Sequence, residues 1–253
     1  MADPSLYVAV TAVSHDGLLR DHNEDSLLVG PWTTCAVSTQ SPQTLVFPLA
    51  DEPMAVAVAD GLGGHPAGEL ASSVVVESLA RVAGMLHDEQ TVREAIRGCN
   101  AAVFEQASLD ASRTAMGTTL AGMVVTRDTV RVFNVGDSRV YSASAAGLDR
   151  VSEDDSPPLV EGQTHTSIVT QTLGGSPNLR PVDPHVASYA LDPGLRYLAC
   201  TDGLTDVVDD AAIAAVLAEH TGAEAVYELW KAAMDKGGPD NITLALVEFV
   251  SPA

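Results

Sequence analysis

Met54-Ala55-Val56-Ala57-Val58-Ala59-Asp60-Gly61-Leu62-Gly63-Gly64-His65 is the stretch that organises this 253-residue chain. Six apolar residues stop at an Asp-Gly pair, as a buried strand does where it leaves its sheet. Just downstream, Leu70, Val74, Val75, Leu79, Val82 and Leu86 recur at three- and four-residue steps. That spacing predicts a helix over about 67–86 with one apolar face. The acidic ending then returns along the chain: Val135-Gly136-Asp137, Thr201-Asp202-Gly203 and Pro239-Asp240-Asn241. A further acidic pair, Glu24-Asp25, stands just before the strand-like run Ser26 to Val29. Any one Asp-Gly is ordinary turn chemistry. Five acidic sites at strand ends are a pattern, because strands of one sheet or sandwich bring their ends together.

Carboxylates gathered in one pocket raise each other's pKa and cannot all ionise without compensation. Hard divalent cations with oxygen ligands supply it. With no Cys or His cluster in support, the donor set points to Mg²⁺ or Mn²⁺ and away from zinc. Such a site suits chemistry on phosphate, and Arg20, four and five residues before Glu24 and Asp25, offers a fork to a phosphoryl group. Taken alone, Arg20 reads equally well as a solvated surface arginine.

Around this pattern the chain alternates groups of strands with pairs of helices. Leu6 to Val13 is β-rich, Asp16-Gly17 makes a turn, and Pro31 to Pro53, with four prolines, reads as an irregular excursion or hairpin. Trp32 within it is expected to be a packing anchor. A second helix is expected from Thr91, capped with Glu94, burying Val92, Ile96, Cys99 and Val103. Strands follow over Thr118 to Thr126, Thr129 to Val135 and Arg139 to Ala143; Val151 to Pro184 reads as loop. After the strand Leu195 to Cys200, helices begin near Asp210 and at a Thr221–Glu224 cap, and Ile242 to Val250 closes the chain as a strand. Adjacent helix pairs between strand groups favour α+β layering over a doubly wound sheet.

Composition narrows the function classes. There are 34 Asp+Glu against 13 Lys+Arg, a net charge of −21, which disfavours nucleic acid and anionic membranes. At 46% hydrophobic and 19% charged residues the chain can bury a sizeable core. No apolar window approaches the roughly 18 residues of a membrane span, and the N-terminus lacks a signal-peptide pattern. Cys35, Cys99 and Cys200 read as small core residues in a reducing compartment, so a cytoplasmic location is expected. His15, His22, His87, His165, His185 and His220 lack ligand-like spacing and read as solvated or capping residues.

At the acidic sites the sequence resembles the PPM-type protein serine/threonine phosphatases, the phosphatase 2C family. Arg20-Asp21-His22-Asn23-Glu24-Asp25 is similar to its R-x-x-N-E-D element, and Val58 to His65 to its V-A-D-G-x-G-G-H box, with Ala67-Gly68-Glu69 following as in bacterial members. Met116-Gly117-Thr118-Thr119, Val135-Gly136-Asp137-Ser138-Arg139, Thr201-Asp202-Gly203-Leu204 and Asp240-Asn241-Ile242-Thr243 resemble the remaining elements, in order. The resemblance implies a four-layer α-β-β-α sandwich, with the whole chain as one catalytic domain. It implies two Mn²⁺ or Mg²⁺ ions at the core, with a third in some members. By position, Asp60 would bridge the two metals, Asp202 and Asp240 would complete one, and Glu24 and the Gly61 carbonyl the other. Asp25 would orient the attacking water, Arg20 would bind the substrate phosphate, and Asp137 with Asp202 would hold the third metal. Asn241 would support this geometry. The implied reaction is hydrolysis of phosphoserine and phosphothreonine on proteins by a metal-bridged hydroxide, opposing a cognate kinase; a monomer is expected.

Two departures from the family stand out. Leu62 occupies the place of a histidine proposed in some members as the leaving-group acid, and His65 reads as structural. Glu153-Asp154-Asp155-Ser156 matches a D-H-S element only loosely, and the flap that follows looks short within about 151–184. Two other readings therefore stand beside the protein phosphatase: a non-catalytic scaffold for phosphoproteins or a kinase, and a small-molecule phosphatase using the same site.

Overall fold

The computed structural model describes residues 6–62, 66–158 and 168–251. Along the chain, β1 (Tyr7–His15), β2 (Ser26–Val29), β3 (Trp32–Cys35), β4 (Gln43–Pro48), β5 (Met54–Ala59) and β6 (Gly61–Leu62) precede helices α1 (Pro66–Val82) and α2 (Glu89–Ser108). Then come β7 (Gly117–Thr118), β8 (Leu120–Val125), β9 (Thr129–Val135), β10 (Arg139–Ser144), β11 (Gly147–Arg150), β12 (Leu173–Gly174), β13 (His185–Ala190) and β14 (Arg196–Cys200). Short α3 (Asp202–Thr205), α4 (Asp210–Glu219), α5 (Gly222–Asp235) and β15 (Ile242–Val250) complete it.

Two six-stranded sheets, ordered β11-β10-β14-β15-β1-β4 and β13-β9-β8-β5-β2-β3, pair antiparallel throughout; β12-β7-β6 form a small third sheet. Each layer contact has its own apolar cluster. Val8, Val10, Val56, Val58, Met123 and Val132 fill the space between the sheets. Leu28, Ala57, Val75, Leu79, Ile96 and Phe133 join one sheet to α1 and α2, while Tyr141, Leu198, Ile213, Leu229 and Leu244 join the other to α4 and α5. The expected four-layer α-β-β-α sandwich is what forms.

The deciding stretch shows why. In β5, Ala55, Ala57 and Ala59 face the α1–α2 layer while Val56 and Val58 face the opposite sheet. Both faces are covered, so the strand reads as a continuous apolar run rather than an alternation. Each fully buried valine or leucine contributes roughly 1.5–3 kcal/mol relative to exposure.

Several expectations need correction. α2 starts earlier than Thr91: Asp88 is its N-cap, accepting from Thr91 N, with Thr91 closing the box in place of Glu94. Thr221 caps α5 by position without a side-chain hydrogen bond. The Pro-rich excursion is two edge strands, and Trp32 is 63% exposed rather than an anchor. The 151–184 loop contains β12, and β13 follows it. Cys99 and Cys200 are buried as expected, Cys35 half-buried. His22 pairs with Glu24 and His185 with Asp155, so these two histidines are engaged rather than solvated. Gly63, Gly64, His65, His165 and part of the short flap (159–167) lie outside the described residues.

Candidate metal centre

Antiparallel pairing decides where the acidic residues meet. Ser26 at the start of β2 lies opposite Ala59 at the end of β5, so Asp25 and Asp60 leave the same edge of one sheet. Arg139 faces Cys200 and Ile242 faces His15, which brings Asp137, Asp202 and Asp240 to the corresponding end of the other sheet. Leu120 opposite Val135 sets the Thr119 and Gly136 backbones beside them. Arg20, Glu24, Asp25, Asp60, Asp137, Asp202 and Asp240 thus share one end of the sandwich, beside the Gly61 backbone.

The backbone there is held chiefly by amide and hydroxyl side chains, which also bind the carboxylates. Asn241 Oδ1 accepts from Glu24 N at 2.8 Å, while its Nδ2 donates to Asp16 O and His22 O. The Asn241 N–H in turn donates to Asp240 Oδ1, and Arg20 Nη2 donates to Asp240 Oδ2 at 2.6 Å. Asn23 Oδ1 accepts from Asp25 N, and Thr201 Oγ1 donates to Asp25 Oδ2 at 3.0 Å. At Asp60, the N–H donates to Thr119 Oγ1 and the carbonyl accepts from Thr118 Oγ1 and Thr119 N. Thr119 Oγ1 also meets Ser138 Oγ at 2.7 Å, linking the Asp60 turn to the Asp137 turn.

Two glycines make room for Glu24. A Cβ on Gly61 would lie 2.5 Å from Gly68 O and 2.6 Å from Glu24 O; one on Gly68 would lie 2.1 Å from Glu24 Oε2. The first turn of α1 therefore lies directly against the Glu24 carboxylate. His22 Nε2 meets the other oxygen, Oε1, at 2.9 Å. Gly203 has the same role opposite Asn241, where a Cβ would lie 1.9 Å from the Asn241 carbonyl.

The electrostatics are those of acids held without enough cations. Burial, reinforced by Asp240 and Glu24 and opposed by the Thr243 and Thr201 hydroxyls, pushes Asp25 up to about 7. Burial and then Asp137, Asp206 and Asp240 push Asp202 to about 8. Asp60 is raised well above the usual carboxylate range by burial and by Asp202, with which it shares a hydrogen bond. Burial, with Asp154 and Asp206, lifts Asp137 to about 6 despite a backbone hydrogen bond. Asp25 Oδ1 and Asp202 Oδ1 are buried with no hydrogen-bond partner among the described residues. Acceptor-only oxygens left bare inside a carboxylate cluster are what a hard divalent cation satisfies. Among the described residues no three His, Cys, Asp or Glu side chains already converge at metal distance. Asp60 is turned to Asp202, and Asp240 to Arg20.

Sequence reasoning gave no role to a second network behind Asp137. Asn134 donates to the Glu153 carbonyl and accepts from its N–H. Arg139 makes a bidentate pair with Asp154, which Arg150 also contacts. Asp155 Oδ2 accepts from Gly136 N and Gln171 Nε2, while Oδ1 meets His185 Nε2 at 2.9 Å. The loosely matching Asp154-Asp155 pair therefore braces the Asp137 turn. The run of acids after Val151 was its one signal in the sequence.

The sequence profile of the protein phosphatase 2C family matches residues 44–237. The serine/threonine protein phosphatase PstP of Mycobacterium tuberculosis is 29% identical over 99% of this chain, which spans 46% of that protein's length. The serine/threonine phosphatase stp of Listeria monocytogenes is 30% identical, covering 92% of each chain. Among solved structures, the mycobacterial PstP superposes with a TM-score of 0.78 at 28% identity, covering 96% of this chain and 98% of that one. A PstP catalytic domain in complex with two manganese ions gives 0.79 at 28% identity, covering 98% and 100%.

Proposed function

The chain belongs to the protein phosphatase 2C family, and from that membership we propose that it hydrolyses phosphoserine and phosphothreonine on proteins with two divalent cations, Mn²⁺ or Mg²⁺, at its acidic site. The observation that carries the reading is the buried pair of bare oxygens, Asp25 Oδ1 and Asp202 Oδ1, within a cluster of raised-pKa carboxylates. Asp60, Asp202 and Asp240 would hold one cation and Asp60, Glu24 and the Gly61 carbonyl the other. Asp137 with Asp202 would serve a third. Such cations, when bound, supply an acidified water and positive charge for the phosphoryl oxygens.

The protein's own groups then divide the work. Arg20, half-exposed and held by Asp240, presents its remaining N–H groups to the phosphate. Asp25 keeps Oδ2 on Thr201, which leaves Oδ1 to orient the attacking water and take its proton. Water oxygen bonds to phosphorus in line as the bond to the seryl oxygen breaks, and that oxygen takes a proton from solvent water as Asp25 returns its own to solvent. Asn241 sets the spacing of Glu24 and Asp240: its side chain accepts from the Glu24 N–H, and its own N–H donates to the Asp240 carboxylate. In this reading the whole chain is one catalytic domain, acting in the cytoplasm against a cognate kinase. Among the described residues no helix is long and apolar enough to cross a membrane.

The test is phosphate release from phosphoserine and phosphothreonine peptides, with a phosphotyrosine peptide and small phosphomonoesters alongside, in Mn²⁺, Mg²⁺ or EDTA. Turnover that needs metal, prefers phosphoserine or phosphothreonine peptides and disappears in Asp202→Ala supports the reading. Preference for the small esters favours a metabolite phosphatase. A folded, metal-loaded protein without turnover favours a scaffold.

A further inference from the structure

No charged residue or histidine falls between Asp25 and Asp51, in a chain whose net charge is −21. That run builds both strands at one side of the sandwich: β3 is the last strand of one sheet and β4 the last of the other. Edge strands are commonly blunted with charge, as β11 is by Asp149 and Arg150. Here the edge instead exposes Trp32, Val37 and Val46, each more than half open to solvent. Between the two strands a small cleft opens onto the inter-sheet core, lined by Val10, Leu27, Val29, Trp32 and Leu45.

We propose that this edge is the contact surface of a twofold homodimer in which β4 pairs antiparallel with β4 of a second copy, centred on Val46. The backbone supports that register. Leu49 N donates to Leu6 O, so Phe47 and Leu45 also turn their backbone groups toward β1. Thr44, Val46 and Pro48 turn theirs outward. Pairing centred on Val46 sets Val46 against Val46 and Thr44 against Pro48 of the other copy. Every outward N–H then finds a carbonyl, and the one position without an N–H is proline, which needs none. The strand is thus complementary to itself in one register. Charge selects the same face: two copies this acidic repel wherever formal charges approach, and this run brings none to the contact. This dimer would stand in place of the monomer expected from the sequence, and it is independent of the reading of the metal site.

The decisive experiment is disulfide trapping. Residues opposite each other in a hydrogen-bonded antiparallel pair have Cα atoms about 5.5 Å apart, within disulfide reach. Val46→Cys should give a covalent dimer under mild oxidation at least about tenfold faster than Thr44→Cys, whose partner is Pro48 rather than itself. Unmodified protein reports the background from Cys35, Cys99 and Cys200. Sedimentation of the unmodified chain should show twice the 26.3 kDa chain mass, half-dissociating in the ~1–100 µM range and tightening as salt screens repulsion. Val46→Pro, or Val46→Lys should that variant fold poorly, should weaken association at least about tenfold with the melting temperature unchanged. Equal trapping at Val46→Cys and Thr44→Cys, or a monomer throughout the range, overturns the proposal. A wild-type-like dimer from both Val46→Pro and Val46→Lys does so too.

Discussion

Gly68→Ala separates helix stability from the geometry of the acidic site, because the two respond with opposite sign. Gly68 lies in the first turns of α1, where alanine is intrinsically better by about 1 kcal/mol. Its Cβ, however, would lie 2.1 Å from Glu24 Oε2, against the roughly 3.3 Å at which a carbon and an oxygen settle. Glu24 must therefore retreat by about 1.2 Å, several times the roughly 0.2 Å tolerance of a metal–ligand bond. The expected outcome is a loss of Mn²⁺ affinity of about 10–100-fold, read by calorimetric titration and by the metal dependence of phosphate release. The melting temperature in EDTA should move by less than about 4 °C, the propensity gain offsetting the displaced side chain. Gly98→Ala in α2 is the control: its Cβ meets nothing within 4 Å, so it should raise the melting temperature by about 2–4 °C and leave Mn²⁺ binding alone. Wild-type Mn²⁺ affinity in Gly68→Ala would refute the assignment of Glu24 as a ligand.

Two further outcomes follow from the charges. Asp154→Ala strands Arg139, mostly buried in a bidentate pair, and should cost about 3 kcal/mol, read by urea denaturation; a loss under 1 kcal/mol would assign the pair no structural weight. The acidic cluster sets a pH dependence. Asp25, Asp60 and Asp202 have folded-state pKa values above their unfolded values, so the folded protein binds protons more tightly. For Asp25 and Asp202 the destabilising contribution is complete only above about pH 8 and is relieved as pH falls toward the unfolded value near 4; Asp60 acts in the same direction. In EDTA the melting temperature should rise on acidification from pH 8 to 6, and Mn²⁺ added at pH 7 should release protons, read by an indicator dye. A flat profile without proton release would show that these acids are ionised before metal binds.

Where burial and periodicity agree, the fold was legible from the chain alone. The apolar run of β5, the stripe of α1 and the Asp-Gly endings each state one local fact, and antiparallel pairing makes them converge. The misses share a cause. β3, β4 and β13 are short, half-exposed and rich in Thr, Ser and Pro, so no alternation marks them; pairing with β2, β1 and β9 makes them strands. Trp32 looked like an anchor because tryptophan is usually covered, and its place on an edge strand is a tertiary fact. Asp88 rather than Thr91 caps α2 because an aspartate three residues earlier accepts the N–H that Thr91 would leave open. At the site, residues whose chemistry is specific were visible, but those acting through backbone bonds were less so. Asn134 and Asp155 resemble any polar residue until their partners are known.

The pairing of β1 with β15 carries a consequence for how the protein comes into being. Tyr7–His15 lies against Ile242–Val250 over its whole length, at the heart of a sheet. A ribosome must therefore have passed Val250 before β1 can acquire this neighbour, and Asp240 and Asn241 arrive with it. Until then β1 has β4 alone as a strand neighbour, and its closure onto β15 is slowed by the long loop between them. Synthesis halted ahead of β15 would leave an incomplete sheet with Glu24 unmoored from Asn241. Phosphate release should accordingly emerge in a single step once β15 has paired, with no gradual gain while the preceding strands are made.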